Sequence, residues 1–319
     1  MTSTTDSHTE LGPTSVRFFA GESLSEGLAR VIQAQFDIAL QIATADPEEQ
    51  AAAVHETRKA IKRLRAMLRM VRGSISLDRY HTDNAMLKLI AAELGAVRDA
   101  WVMAEILERL LPHEGDTSGI IPVLIDRLQQ RYRIESAAVL ENKALMASIV
   151  EQLEHVRDSS ARWTILAGEQ SEPLPHRFDA IAPGLQRVYK RGRRGMRIVA
   201  GSPTDTLLHV WRKRAKYLRH QVEALNILDP ARLAGYEASL ERLTDALGDD
   251  HDLAILLSRL DDDAALTADL DIAGVLDLIY TERHDLQAEA IAIGEQFFED
   301  PSTDFLVYME SVWKEGSTF

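Results

Sequence analysis

At 319 residues the chain is long enough to bury a large core or to split into two units. It has no cysteine, which excludes disulfides and thiol catalysis and fits a reducing cytoplasm; it has no apolar run of transmembrane length, and its start, MTSTTDSHTELGPTS, lacks the basic and apolar regions of a secretory signal. The net charge of −14 argues against a polyanionic partner, until its distribution is considered.

Residues 1–15 read as a disordered leader, with order from about Val16. SEGLARVIQAQFDIALQIA over Ser25–Ala43 has a helical period, with Ser23 or Ser25 as N-cap. Asp46-Pro47 breaks it and opens a second helix. Over Val54–Arg72 that helix places Val54, Thr57, Ile61, Leu64, Leu68 and Val71 on one apolar seam. One residue behind each seam position stand His55, Arg58, Lys62, Arg65, Arg69 and Arg72. Such a row, one turn apart over roughly 25 Å, destabilises an isolated helix, so the spacing points to a ligand that offsets the repulsion. Gly73-Ser74 ends the helix. A third runs from about Asp78 to Leu111 and contains ELGAVRDAWVMAEIL, Pro112–Gly119 is a loop, and Ile120–Arg157 forms one long helix. Residues 159–177, with Gly168, Pro173 and Pro175, read as a linker.

The order then repeats. Ala182–Val199 opens with GLQRV where the first half has GLARV, so Arg187 matches Arg30. Its cations Arg187, Lys190, Arg194 and Arg197 recur at steps of three and four, with Arg191 among them. Gly192 and Gly195 weaken this helix by about 1 kcal/mol each relative to alanine and read as a helix irregularity more than as a phosphate-cradling turn. Leu208–Leu225 carries the seam Leu208, Trp211, Ala215, Leu218, Val222 and Leu225, followed one residue later by His209, Arg212, Lys216 and Arg219. At an offset of 154, His55 maps to His209, Arg58 to Arg212, Lys59 to Lys213, Lys62 to Lys216 and Arg65 to Arg219; the match ends where Arg69 meets Glu223. A helix from about Pro230 to Leu260 contains LGDDHDLA, which aligns with LGAVRDAW at an offset of 153 and sets His251 on Arg98 and Asp252 on Asp99. Leu270–Phe297 and Thr303–Trp313 complete the pattern, and no segment alternates as a strand. The reading is all-α, with two duplicated four-helix bundle units over 16–158 and 178–315.

Residues 55–72, 184–200 and 209–220 hold 7, 6 and 5 Lys/Arg, with Glu56 the only acid among them. That local +17 leaves −31 on everything else, the mark of a focused positive site on an acidic molecule.

The pattern His-x-x-Arg-(Lys)-x-x-Lys-x-x-Arg in each half, with Leu-Gly-x-x-(Arg/His)-Asp in the helix after each, resembles the CHAD family, the conserved-histidine α-helical domain. The resemblance covers about residues 16–315. It implies an all-helical domain with pseudo-twofold symmetry, a basic surface that binds inorganic polyphosphate, and association with polyphosphate granules. Carried over by position, the ligand-facing candidates are His55, Arg58, Lys62, Arg65 and Arg69 with His209, Arg212, Lys213, Lys216 and Arg219. Lys59, Arg30, Arg187, Lys190, Arg191 and Arg194 join them from the repeat. Members are often fused to a triphosphate-cleaving tunnel domain marked by Glu-x-Glu-x-Lys, and no Glu-x-Glu occurs in this sequence.

The residue types suit such a polymer. Polyphosphate offers only oxygen acceptors, which arginine meets with forked donors and lysine with a compact charge. His55 and His209 would add charge below their ordinary pKa of about 6.5, so affinity is expected to rise as pH falls from about 8 to 6. Arg98, Asp99 and Asp252 are expected to orient neighbouring cations. The leading expectation is therefore a non-catalytic, cytoplasmic polyphosphate binder, located at granules, without cofactor, metal or membrane. The alternatives are a metal-dependent phosphohydrolase, hinted at by His251-Asp252 but without a ligand cluster, and a nucleic-acid binder, disfavoured by an aromatic content of 6%. A scaffold that takes an acidic protein tail is the remaining reading.

Overall fold

The structure, a computed structural model, describes residues 16–19, 21–46, 49–110, 119–168 and 172–316, and of residues 96–102 and 110 the backbone alone. The leader expected over 1–15 lies outside the described residues. Within them the fold is all-α: twelve helices, with the isolated bridge Ile165–Pro173 as the one extended pairing.

Local chemistry sets the helix starts. α1 (Leu24–Leu40) begins at Ser23, whose hydroxyl accepts from the Glu26 amide while the Glu26 carboxylate accepts from the Ser23 amide, a reciprocal cap that satisfies two orphan donors. The two basic helices are α2 (Gln50–Met70) and α8 (Asp205–Leu225), the latter capped by Thr204 accepting from the Leu207 amide. α7 (Ala182–Gly201) precedes α8, and α9 (Pro230–Asp262) follows it behind the Asp229 cap. The short α10 (Ala264–Thr267), then α11 (Ala273–Phe297) and α12 (Ser302–Gly316), close the chain.

Two expected long helices are broken, so the first half exceeds four helices. Ile120–Arg157 divides into α5 (Ile120–Leu140) and α6 (Lys143–Ser160), because the Asn142 side chain takes the Leu145 amide and starts a new helix. Asp78–Leu111 divides at Leu94 into α3 (Leu77–Glu93) and α4 (Gly95–Leu110). At that break the Arg58 guanidinium donates to the Ala91 carbonyl at 2.5 Å, the oxygen that a continuous helix would have given to the Gly95 amide. The matching Leu247-Gly248 pair lies inside unbroken α9.

Neither core belongs to one half of the chain. The main one joins α1, α2, α3 and α6 to α7, α8, the first half of α9 and α12; a second joins α4 and α5 to the end of α9, α10 and α11. α2 packs against α8 and also against the start of α7. That last crossing is close enough that a Cβ on Gly184 would lie 1.9 Å from the Met70 carbonyl oxygen. Glycine is required there by approach of backbone to backbone. The glycines of α7 have a packing role as well: added Cβ atoms would meet the Phe298 ring at Gly192 and Trp211 at Gly195. They face buried aromatics inside a continuous helix, so the expected irregularity is absent and these positions offer no cradle for phosphate.

Candidate functional site

The tight α2–α7 crossing and the α2–α8 pair bring cations from four helices together. From α2 come Arg65, Arg69 and Arg72, from α8 Lys213 and Arg214, from α7 Arg191, and from α3 Lys88. Arg69 lies over the Tyr217 ring with its guanidinium carbon 4.1 Å from the centroid, Arg65 lies 5.8 Å from the same ring, and Arg72 stands 4.4 Å over Tyr80. Both rings are only 5% exposed, so each forms a packed floor that holds a cation in place. Asn84 accepts from Arg69 at 2.8 Å and from Arg65 at 3.3 Å, and Arg69 also donates to the Arg65 carbonyl at 2.7 Å.

The electrostatics mark this as one coupled group. Burial pushes the Arg69 guanidinium below its ordinary value, with Arg65 and Arg214 pushing the same way. Arg191 is lowered by burial and then by Arg214 and Arg72, and Lys213 by burial and then by Arg214, Arg65 and Lys88. Among the described residues none of these seven side chains pairs with a carboxylate. Their mutual repulsion is relieved when an anion enters, which is how a preformed site gains affinity.

The remaining candidates divide. Arg187, Lys190 and Arg194 are exposed on the outer face of α7, beside Arg191. Arg58 and Arg212 serve the framework instead: Arg58 holds the α3–α4 break, and Arg212, only 6% exposed, packs against Gly248 as Arg58 does against Gly95. The glycine of the Leu-Gly pair in each half thus lies beside the guanidinium of the preceding basic helix. Arg30 is committed elsewhere, to the Glu22 carboxylate at 2.8 Å and the Arg17 carbonyl at 2.8 Å, with Phe19 beneath it. Lys59 pairs with Glu56 at 2.9 Å, while Lys62 and Lys216 are half-buried on their helices. Arg219 is held by Glu241 at 2.6 Å and Asp245 at 3.2 Å.

The histidines are not equivalent to simple cations. His55 is half-buried on α2. His209 stacks against His251 with centroids 4.4 Å apart, and burial, with Lys213 and Arg212 nearby, lowers its pKa to about 4. It is therefore neutral between pH 8 and 6, and the expected gain of affinity over that range loses its contribution. Asp252 is 9% exposed on α9; the side chains of Arg98 and Asp99 lie outside the described residues. Among the described residues no three His, Asp or Glu side chains are grouped to hold a metal ion, and no helix is long and apolar enough to cross a membrane.

Arg214, Lys88 and the two tyrosine floors escaped the sequence reading. Arg214 lies one step ahead of seam residue Ala215 and so outside the basic ladder of α8, and nothing in the sequence around Lys88 marks it.

The chain matches no curated protein. Several solved structures share its fold. One, described as PptA from Streptomyces chartreusis, is 16% identical with a TM-score of 0.54 and covers 86% of this chain and 98% of its own. Another, described as the crystal structure of the CHAD domain from the plant Ricinus communis, is 17% identical with a TM-score of 0.52 and covers 95% of this chain and 97% of its own. The family model for the CHAD domain matches residues 30–261, most of the length over which the helices and the basic ladders have been described, and the chain belongs to the CHAD-domain family.

Proposed function

We propose that the protein binds inorganic polyphosphate without cleaving it. One observation carries this reading: seven cations from α2, α3, α7 and α8 converge on an open surface with no carboxylate partner among the described residues. A surface of this kind suits a linear chain of phosphates better than a compact substrate, because the donors are spread along helices instead of closing around one centre. The α7 face, with Arg187, Lys190 and Arg194, extends the track outward. Single-stranded nucleic acid fits less well, since base stacking needs open rings and Tyr80 and Tyr217 are covered by guanidinia. Granule association in a cytoplasm follows from such binding and belongs to the same proposal.

The test is a binding isotherm with long-chain polyphosphate at two salt concentrations. By analogy with counterion release from single-stranded nucleic acids, seven cations should make affinity fall by about 1,000-fold between roughly 50 and 200 mM salt. Polyphosphate should displace RNA or DNA far better than the reverse, and equal displacement would favour nucleic acid. Added Mg²⁺ or Mn²⁺ should release no phosphate; release would establish an enzyme.

A further inference from the structure

The basic helices are related at an offset of 154 and the helices that follow them at 153, and around them the halves disagree. On α8, Glu223 occupies the position of Arg69; on α9, Glu241 occupies that of Lys88 and Asp245 that of Ala92. The structure shows what these three acids do. Arg219, the counterpart of Arg65, donates to Glu241 and Asp245, whereas Arg65 meets only the neutral amide of Asn84 and the Tyr217 ring among its described contacts. Glu223 accepts from His220 at 3.2 Å, with Arg63 and Arg219 lending it further positive charge.

We infer that the two ladders are functionally unequal: the anion track is confined to the side bearing Arg65, Arg69, Arg72, Lys88, Arg191, Lys213 and Arg214, and Glu223, Glu241 and Asp245 close the duplicate position with an intramolecular acidic clamp. This rests on the polyphosphate reading and narrows it. The polymer lies across the side of the α2–α8 pair that carries Tyr217 and does not reach round α8 to Arg219. An incoming phosphate there would face two carboxylates already seated on Arg219, and exchanging them brings no net gain in charge pairing.

The experiment uses the full chain and long-chain inorganic polyphosphate, measuring both the dissociation constant and the number of phosphate residues covered per protein at saturation. Three variants carry it: R191A/K213A/R214A, R219A and E241K/D245A. The last gives the duplicate site the residues of its counterpart at two exposed positions, and E223R/E241K/D245A completes the exchange if it keeps its helical signal. The inference expects at least a 30-fold loss for the first, a change within twofold for the second, and a rise of half or more in the covered length for the third. Covered length is decisive because a general increase in positive charge tightens binding without lengthening the site. A loss from R219A as large as that from the triple variant overturns the inference, and so does an unchanged covered length in E241K/D245A, while the polyphosphate reading survives both. Absence of binding by the unaltered chain overturns the reading and the inference together.

Discussion

Two sides of the α2–α8 pair carry matching arginines and differ in the sign of the charges around them. On one, Arg65 and Arg69 rest on Asn84 and Tyr217; on the other, Arg219 is pinned by Glu241 and Asp245, and Glu223 fills the place of the second arginine. A basic stripe in a sequence is thus only a potential site. Whether it meets a ligand or its own carboxylates is decided by the helix packed next to it.

That contrast can be broken at its geometric root. Gly184→Ala should have the largest effect, because the added methyl has nowhere to go against the Met70 carbonyl. A loss of about 3 kcal/mol in denaturant unfolding is expected, and with it the placement of Arg191 beside Arg72. Retention of wild-type stability would show that the α2–α7 contact is looser than described.

The framework arginines come next. Arg58→Ala removes a charge-assisted hydrogen bond and strands the Ala91 carbonyl, at a cost of about 2 kcal/mol; Arg212→Ala, which empties a buried site next to Gly248, should cost a similar amount. Thermal melts of both variants check this. If either loses polyphosphate affinity with its melting temperature intact, that arginine touches ligand after all.

Arg219→Ala sharpens the comparison from the other side. Its pairs are with half-exposed carboxylates, so stability should change by only about 0.5–1 kcal/mol, measured by the same unfolding.

The smallest effect concerns pH. The folded His209 pKa of about 4 lies below the unfolded value of about 6.5, so between these values the unfolded chain binds the extra proton. The contribution of this residue to stability is complete above pH 6.5 and is lost as pH falls toward 4. An NMR titration should find the His209 imidazole neutral from pH 8 to 6, and His209→Asn should reduce acid sensitivity between pH 6 and 4. A titration midpoint near 6.5 would restore the imidazole to the list of ligand cations.

Much of the fold was legible in the chain, because helix period, caps and breakers are local. The Ser23 cap and the two seams follow from residues a few positions apart. The breaks at Leu94 and Asn142 were not, since one depends on an arginine reaching from another helix and the other on a single side chain winning a local competition. Within the site, the ladder positions Arg65, Arg69 and Arg72 were readable from spacing, and Lys213 from its match to Lys59. Lys88, Arg214 and the tyrosine floors were not, because periodicity along one helix carries no information about what stands opposite.

By itself the sequence determined an all-helical chain with its cations held in three short segments against an acidic remainder, since composition and period are properties of the polymer. Only the tertiary structure decided which of those cations share a surface. Coulomb energy depends on distance in space, and it is the crossing of α2 with α7 and α8, permitted by the missing Cβ of Gly184, that sets Arg191, Lys213 and Arg214 beside Arg65 and Arg69 and leaves Arg219 to its own carboxylates.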